Sequence, residues 1–205
     1  MNKRETFIRI FKKAEKKYGK SVKRLAAEGW DKDWKVLLAT ICSAQNRDEV
    51  TIPVMEEFFK KFNTLEKIAG AHVEAIKKAI RRINYFESKA GYMKETARML
   101  LDDYGGKVPD SIDELVKLKG VGRKTANLVL AVVHNQDSIT VDTHVNRLSN
   151  VLGFVDTRSR GKTEEELKKI VPKKYWSRIN RIFVLWGKEV PGRDKEKLLK
   201  KLEEE

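Results

Sequence analysis

Cysteine is almost absent from this chain of 205 residues, which contains Cys42 alone. A disulfide framework and a cysteine-based metal cluster within the chain are therefore excluded. The three histidines, His72, His134 and His144, lie far apart and lack the spacing of metal ligands. No apolar run reaches the ~20 residues that span a bilayer, and the N-terminal segment is charged and amphipathic rather than a signal peptide. We therefore expect a cytoplasmic protein without a membrane anchor.

Acidic residues are few relative to basic ones, with 30 Asp and Glu against 44 Lys and Arg. The formal net charge of +14 favours a polyanionic partner, above all nucleic acid. The alternative is a heavily charged surface suited to high temperature, although such surfaces are usually close to charge balance. Apolar residues make up 40% of the chain, which is enough to bury a core.

Alternating strand patterns are also missing, since the one candidate, residues 138–141, is too short. Helical spacing of apolar residues follows almost the whole chain and predicts an all-α protein of about ten short helices. Gly19 is expected to end the first helix, and Asp33 to cap the second. Pro53 is expected in the first turn of the third helix, with Thr51 near its cap.

Two glycines flank a valine at Gly120-Val121-Gly122, between a helix that ends near Leu118 and another that begins near Arg123. Glycine permits the positive φ of a tight hairpin and lets backbone amides approach a ligand closely. The N–H groups and dipole at the start of the second helix would bind an anion, for which a DNA phosphate is the natural candidate. A P-loop does not fit, because a helix precedes the turn and an arginine separates glycine from lysine. The alternative is an ordinary junction between two helices.

Lys124 lies in the first turn after the hairpin, and Asp142 comes 18 residues later. A neutral amine can attack C1′ of a deoxyribose and form a Schiff base, and burial, the helix dipole and Arg123 would favour the neutral amine. A carboxylate near C1′ would stabilise the positive charge that develops as a base departs. Each residue has a simpler interpretation: Lys124 as a phosphate contact or solvated lysine, and Asp142 as the N-cap of a helix that buries Val145 and Leu148.

The segments LKGVGRKTANLVL and VDTHVNRL, which contain these two residues, resemble the helix–hairpin–helix (HhH-GPD) DNA glycosylases, specifically the endonuclease III branch. In that family the lysine of the hairpin motif is the Schiff-base nucleophile and the aspartate is the catalytic acid. The resemblance implies these roles for Lys124 and Asp142. The branch that excises adenine opposite an oxidised guanine usually lacks this lysine, so Lys124 implies a bifunctional enzyme with lyase activity.

Two further segments extend the resemblance. CSAQNRD, residues 42–48, is similar to a family segment whose glutamine fills space in the DNA after a base is flipped, which implies this role for Gln45. INYFESKA, residues 83–90, is similar to a turn whose leucine wedges into the base stack, a place taken by Tyr85. Asn84 replaces the glycine of that turn and is expected to tolerate its positive φ. The alternative for Tyr85 is an ordinary exposed aromatic residue.

The chain departs from the family pattern in two places. Lys119 stands where the hairpin usually has proline, which adds a charge near the phosphate. The C-terminal four-cysteine iron–sulfur loop of this branch is absent, so we expect no 4Fe-4S cluster and no other cofactor. Either other packing, through Trp176, Trp186 and the C-terminal tail, replaces the cluster, or this region is looser.

The resemblance implies two helical subdomains with a DNA-binding cleft between them. One, residues 25–134, contains the hairpin, and the other joins residues 1–24 to residues 135–205. The expected DNA contacts, besides Gln45 and Tyr85, are Lys119, Gly120, Val121, Gly122, Arg123, Thr125, His144 and Arg147. For His144 a position at a helix start without any ligand is an equal alternative.

The function implied is base excision repair by a DNA glycosylase with AP lyase activity. It would flip a damaged base, most readily an oxidised pyrimidine, out of double-stranded DNA and cut the strand by β-elimination. The alternatives are a glycosylase for mismatched uracil or thymine or for oxidised guanine, a glycosylase with little lyase activity, and a non-catalytic helix–hairpin–helix DNA-binding module. A monomer associated with DNA in the cytoplasm is expected.

Overall fold

The computed structural model describes residues 2–204, which form α-helices and one 3-10 turn and contain no β-strand. The twelve α-helices of this range confirm the all-α class, where about ten were expected. They are α1 (Lys3–Tyr18), α2 (Asp33–Ser43), α3 (Asp48–Lys61), α4 (Leu65–Ala69), α5 (Val73–Ala79), α6 (Phe86–Tyr104), α7 (Ile112–Leu115), α8 (Arg123–Val133), α9 (Thr143–Val151), α10 (Arg160–Ile170), α11 (Trp176–Glu189) and α12 (Lys195–Lys201), with the 3-10 turn at Lys173–Tyr175. No helix between residues 2 and 204 is long and apolar enough to cross a membrane.

The chain divides into two compact units, which are described separately. The continuous unit is Arg24–Asn135, and the discontinuous unit joins the described residues of Met1–Lys23 to those of Gln136–Glu205. These boundaries lie one residue from those expected from the sequence, 25–134 and 135–205.

The longest helix of the continuous unit, α6, contacts three other helices. Helix α6 packs against α2, α4 and α5, and α2 also packs against α3 and α8. The core includes a group of phenylalanines on α3 and at its end, Phe58, Phe59 and Phe62, whose rings stack or meet edge to face. Trp30 and Trp34 pack edge to face on the middle ring of this group. Contacts between these aromatic side chains help to pack α3 against α2.

The discontinuous unit is built around α11, against which α1 and α9 both pack. Phe7 and Phe11 of α1 stack on each other with ring centroids 5.3 Å apart, and both rings contact Phe183 of α11. Trp186 of α11 is completely buried and meets Phe183 edge to face. The two ends of the chain's sequence thus share one aromatic core.

Most helix ends follow from local sequence. Gly19 ends α1 as expected, and Ser111 caps α7 through a side-chain bond to the N–H of Glu114. Two expectations were wrong. Asp33 is the first residue of α2 rather than its cap, where an acidic side chain still interacts favourably with the helix dipole.

The start of α3 was also predicted wrongly. The helix begins at Asp48, so Pro53 lies inside it instead of in its first turn. The two acidic residues of the first turn, Asp48 and Glu49, suit a helix start. Pro53 supplies no N–H to the helix, and burial of the neighbouring Val54 and Met55 offsets that loss.

The C-terminal tail is docked within the discontinuous unit. Leu198 of α12 is fully buried, and Lys201 forms ion pairs with Glu189 at the end of α11 and with Glu204. Lys13 of α1 pairs with Glu203. One leucine and a set of exposed ion pairs therefore hold the tail, and the leucine contributes most, since exposed pairs are individually weak.

Candidate active site and DNA-contacting residues

The hairpin between α7 and α8 contacts two residues of α6. Gly120 has φ +76°, and a Cβ at this position would lie 2.8 Å from the ring of Tyr92. The hydroxyl of the buried Thr96 donates to the carbonyl of Lys119 at 3.0 Å. Glycine is therefore required at position 120 for two reasons: the positive φ disfavours other residues, and a Cβ would clash with Tyr92. The sequence predicted the hairpin but not these two α6 residues beneath it.

Gly122 plays a different part in the same turn. Its backbone is extended, at φ −94° and ψ 174°, and a Cβ there would meet no atom within 4 Å. Positive φ was expected of the hairpin glycines, and it is found at Gly120 only. Gly122 precedes α8 without any side-chain cap, and the first turn of α8 contains no acidic residue. The backbone here is open to a phosphate, which is the arrangement that binds anions at helix starts.

Lys124 lies in the first turn of α8 and is exposed, as are Lys119 and Arg123. Burial was expected to favour the neutral amine of Lys124, and the structure does not provide it. Thr125 is half-buried in the same turn, while Val121 is buried and can offer only its backbone to DNA. The hairpin and the first turn of α8 thus carry three exposed cationic residues next to a helix start that has no side-chain cap.

Gln45 and Tyr85 share an unusual backbone conformation. Both are exposed and left-handed, Gln45 at φ 57° and Tyr85 at φ 60°, although neither is glycine. Non-glycine residues in this region cost about 1–2 kcal/mol and persist only where the surroundings enforce them. The positive φ expected at Asn84 occurs instead at the next residue, Tyr85, which is also the N-cap of α6.

Side-chain amides join the two loops that contain Gln45 and Tyr85. Asn84 donates from Nδ2 to the carbonyl of Gln45 at 2.8 Å, and its own N–H donates to Oδ1 of Asn46 at 2.9 Å. Sequence reasoning assigned no role to Asn46 and assigned only a backbone preference to Asn84. The structure therefore brings Gln45 and Tyr85 together through this reciprocal pair.

Asp142 is the N-cap of α9 in the discontinuous unit. Its Oδ1 accepts a hydrogen bond from the N–H of Val145 at 2.8 Å, and its side chain is half-buried. The capping interpretation is confirmed, as is the burial of Val145, Leu148 and Leu152 behind it. The cap bond through Oδ1 orients the Asp142 carboxylate, whose charge also acts on the neighbouring His144.

His144 and Arg147 pack from α9 onto α11. A Cβ at Gly187 would lie 2.5 Å from Nδ1 of His144 and 2.9 Å from a guanidinium nitrogen of Arg147, so only glycine fits there. Burial lowers the pKa of His144, and the nearby Asp142 carboxylate opposes that shift. Neutral imidazole is therefore the form that this site favours.

The guanidinium of Arg147 is occupied by backbone carbonyls. It donates to Gly187 at 2.7 Å, to Val190 at 3.1 Å and to Gly192. Arg147 thus fixes the end of α11 and the segment after it, a role that the sequence did not suggest. A phosphate contact by Arg147 or His144 stays a prediction.

The residues present do not fit a four-cysteine cluster. Cys42 is fully buried in the core of the continuous unit, and burial raises the pKa of its thiol to about 12. The segment after α11 is held by the Arg147 bonds and by burial of Val190 and Leu198. Trp186 is buried nearby on α11, and Trp176 donates from its indole nitrogen to the carbonyl of Val171. That the protein binds no cluster remains a prediction, checked by iron content and absorbance near 400 nm.

The chain is similar to known DNA repair proteins. The profile of the HhH-GPD superfamily base excision DNA repair proteins matches residues 38–173. Endonuclease III of Thermotoga maritima is 42% identical over 157 residues, 77% of this chain and 74% of the relative. Endonuclease III of Bacillus subtilis is 36% identical over 156 residues, 76% and 71% of the two chains.

Solved structures resemble the fold as well. A trapped endonuclease III–DNA covalent intermediate superimposes with a TM-score of 0.84 at 33% identity, covering 92% of this chain and 88% of that one. A thermostable thymine-DNA glycosylase superimposes with a TM-score of 0.79 at 22% identity, covering 98% and 94%, and shows the shared fold only. The chain therefore belongs to the HhH-GPD superfamily of base excision DNA repair proteins, in its endonuclease III-like branch.

Proposed function

We propose that this protein removes a damaged base from double-stranded DNA with Lys124 as nucleophile and Asp142 as the carboxylate that assists it. The endonuclease III-like chain is a bifunctional DNA glycosylase and AP lyase. The observation that carries the assignment of Lys124 is its place: it is the lysine in the first turn of α8, directly after an uncapped, glycine-lined helix start. A phosphate bound at that start would bring the adjacent sugar within reach of the amine.

The chemistry proceeds in two stages. The neutral amine of Lys124 attacks C1′, the N-glycosidic bond breaks, and the base leaves with the bonding electrons and takes up a proton. Opening of the sugar ring gives a Schiff base between Nζ and C1′. Loss of a proton from C2′ then expels the 3′ oxygen, which cuts the strand on the 3′ side of the abasic site. Hydrolysis of the Schiff base returns the free lysine.

The exposure of Lys124 bears on the first stage. Because Lys124 is exposed in the free protein, DNA must cover its amine before the attack. In the proposal, Asp142 accepts the proton of the amine or stabilises the cationic sugar through Oδ2, while Oδ1 keeps the cap.

The remaining predicted contacts divide by type. Backbone amides of the hairpin from Gly120 to Gly122 bind phosphate, with Lys119 and Arg123 adding positive charge and Thr125 a hydroxyl. Gln45 and Tyr85 fill the space that the extruded base leaves. Oxidised pyrimidines are the substrate class that we propose, and we propose that the protein acts as a monomer on the DNA of the cytoplasm.

The test is borohydride trapping on a duplex with a single abasic site. Borohydride reduces a Schiff base to a stable amine, so wild type should give a covalent protein–DNA species. Lys124→Gln should give none while still binding the duplex. Lys117→Gln is the matched control, since Lys117 is an exposed lysine of the same segment that forms an ion pair with Glu114. Equal trapping by Lys124→Gln and wild type would remove Lys124 as the nucleophile.

Asp142→Asn tests the second assignment separately from the cap. Asparagine caps helices as well as aspartate does, so the free energy of unfolding should hardly change. Turnover should fall by about 10²–10³-fold, the usual cost of losing one electrostatic contribution to a transition state. The measurement is single-turnover cleavage of a thymine glycol duplex beside thermal unfolding. Unchanged turnover would leave Asp142 as a capping residue only.

A further inference from the structure

Lys89, the fourth residue of α6, is a buried lysine that the chemistry above does not use. Its side chain is only 5% exposed. Its ammonium donates to the carbonyl of Cys42 at 2.9 Å and to the carbonyl of Ala44 at 2.6 Å. Both carbonyls belong to the end of α2, where the negative end of the helix dipole favours a cation. A buried charge is kept only where such partners exist.

The same two carbonyls accept from a second side chain. Asn46 donates from Nδ2 to Cys42 at 2.9 Å and to Ala44 at 3.2 Å. Lys89 and Asn46 therefore both donate hydrogen bonds to the short backbone segment from Cys42 to Ala44. That stretch leads directly into Gln45, which has the left-handed φ of 57°.

The bonds continue from Asn46 to the other strained loop. Oδ1 of Asn46 accepts from the N–H of Asn84, and Nδ2 of Asn84 donates to the carbonyl of Gln45. Tyr85 follows Asn84, and its carbonyl accepts from the N–H of Lys89, at 3.0 Å, in the first turn of α6. Lys89 is thus bonded to both loops, through its side chain to one and through its backbone to the other.

We propose that Lys89 is a positioning residue for base extrusion, which holds Gln45 and Tyr85 in the conformations in which they enter the duplex. This inference rests on the gap-filling roles given to those two residues in the proposed function. Lys89 is buried and touches no substrate, so it acts only through them. Without its ammonium, the end of α2 would lose its cationic partner, and both exposed side chains would leave their strained conformations more readily.

The experiment uses a duplex with a tetrahydrofuran abasic analogue and 2-aminopurine opposite it. Side chains that enter the duplex separate 2-aminopurine from its neighbours and raise its fluorescence. Wild type should give this rise, and Lys89→Met should give a much smaller one. Affinity measured by anisotropy should stay within about threefold, because phosphate contacts dominate binding. Borohydride trapping on an abasic duplex should also be retained, since Lys124 is unchanged.

Three variants complete the test. Lys89→Arg, which keeps a buried cation and donors, should restore most of the fluorescence rise. Lys60→Met should behave as wild type, because Lys60 is exposed and forms an exposed ion pair with Glu57. Asn84→Ala, which removes the bond to Gln45 without emptying a buried site, should reduce the rise as Lys89→Met does.

Several results would overturn the inference. A full fluorescence rise in Lys89→Met would show that the lysine does not position the two side chains. Loss of affinity, trapping and fluorescence together would assign Lys89 to folding alone. Absence of any rise in wild type would refute the gap-filling roles, and trapping by that same wild type would leave the Schiff-base chemistry standing. Failure of wild type to trap would instead refute the proposed function.

Discussion

The hairpin and the two loops that join at Asn46 and Asn84 adopt left-handed backbone in different ways. In the hairpin the left-handed residue is Gly120, which has no side chain to strain. In the loops it is Gln45 and Tyr85, whose side chains are the parts expected to enter DNA. Where we propose that the backbone itself meets phosphate, the chain uses glycine. Where a side chain must be presented, the chain keeps the side chain and holds the strained backbone with hydrogen bonds.

Gly120→Ala should give the largest loss of stability, because it adds both strain and crowding. Its φ of +76° disfavours alanine, and the new Cβ would lie 2.8 Å from Tyr92 at the near end of that side chain, where it cannot swing away. We expect the free energy of unfolding to fall by about 2–3 kcal/mol, measured by urea denaturation. A loss no larger than that of an ordinary surface substitution would contradict the strain and crowding inferred at Gly120.

Gly187→Ala separates crowding from backbone strain, since Gly187 lies within helix α11 and has an ordinary φ. Its Cβ would press on His144 and Arg147, and the better helix propensity of alanine compensates in part. We expect a net loss of about 1–2 kcal/mol in thermal unfolding. Gly161→Ala is the control, because a Cβ there meets nothing within 4 Å. Equal stability of the two variants would contradict the crowding seen at Gly187.

Tyr85→Gly tests strain without crowding. Tyr85 is 64% exposed, so little packing is lost, and glycine relieves the left-handed φ of 60°. We expect stability to rise by about 0.5–1 kcal/mol while the 2-aminopurine fluorescence rise is lost. The pair of measurements is chemical denaturation and fluorescence on the same protein. A destabilised variant would mean that packing of the Tyr85 side chain outweighs the strain of its left-handed backbone.

Gly122→Ala should change stability least and DNA affinity selectively. Its backbone is extended and its Cβ has open space, so unfolding should stay within about 0.5 kcal/mol of wild type. Binding to an abasic duplex, followed by anisotropy, should weaken because the methyl group occupies the approach of the phosphate. Unchanged affinity would move the phosphate away from this residue.

Much of the fold and part of the site could be predicted from local sequence. The hairpin, the start of α8 at Arg123 and the cap by Asp142 follow from glycine spacing and capping preferences, and the structure contains all three. Asp33 and Pro53 were misplaced because helix starts depend on tertiary packing as well as on the residues at the boundary. Such errors of a few residues leave the site unaffected.

The supporting residues of the site could not be predicted as readily. Thr96 and Tyr92 support the hairpin from another helix, and no local pattern links α6 to a turn more than 20 residues later. Lys89 did leave a signal, since it lies four residues before the buried Met93 and so interrupts the apolar face of α6. The left-handed φ fell on Tyr85 rather than Asn84, because Asn84 uses its amide to bond the neighbouring loop.

The most direct measurement is to locate the covalent attachment itself. Wild-type protein would be trapped with borohydride on an abasic duplex, digested with nuclease and protease, and the sugar remnant mapped by mass spectrometry. We expect the remnant on Nζ of Lys124, with a missed tryptic cleavage at that residue. A remnant on another lysine, or no remnant at all, would contradict it.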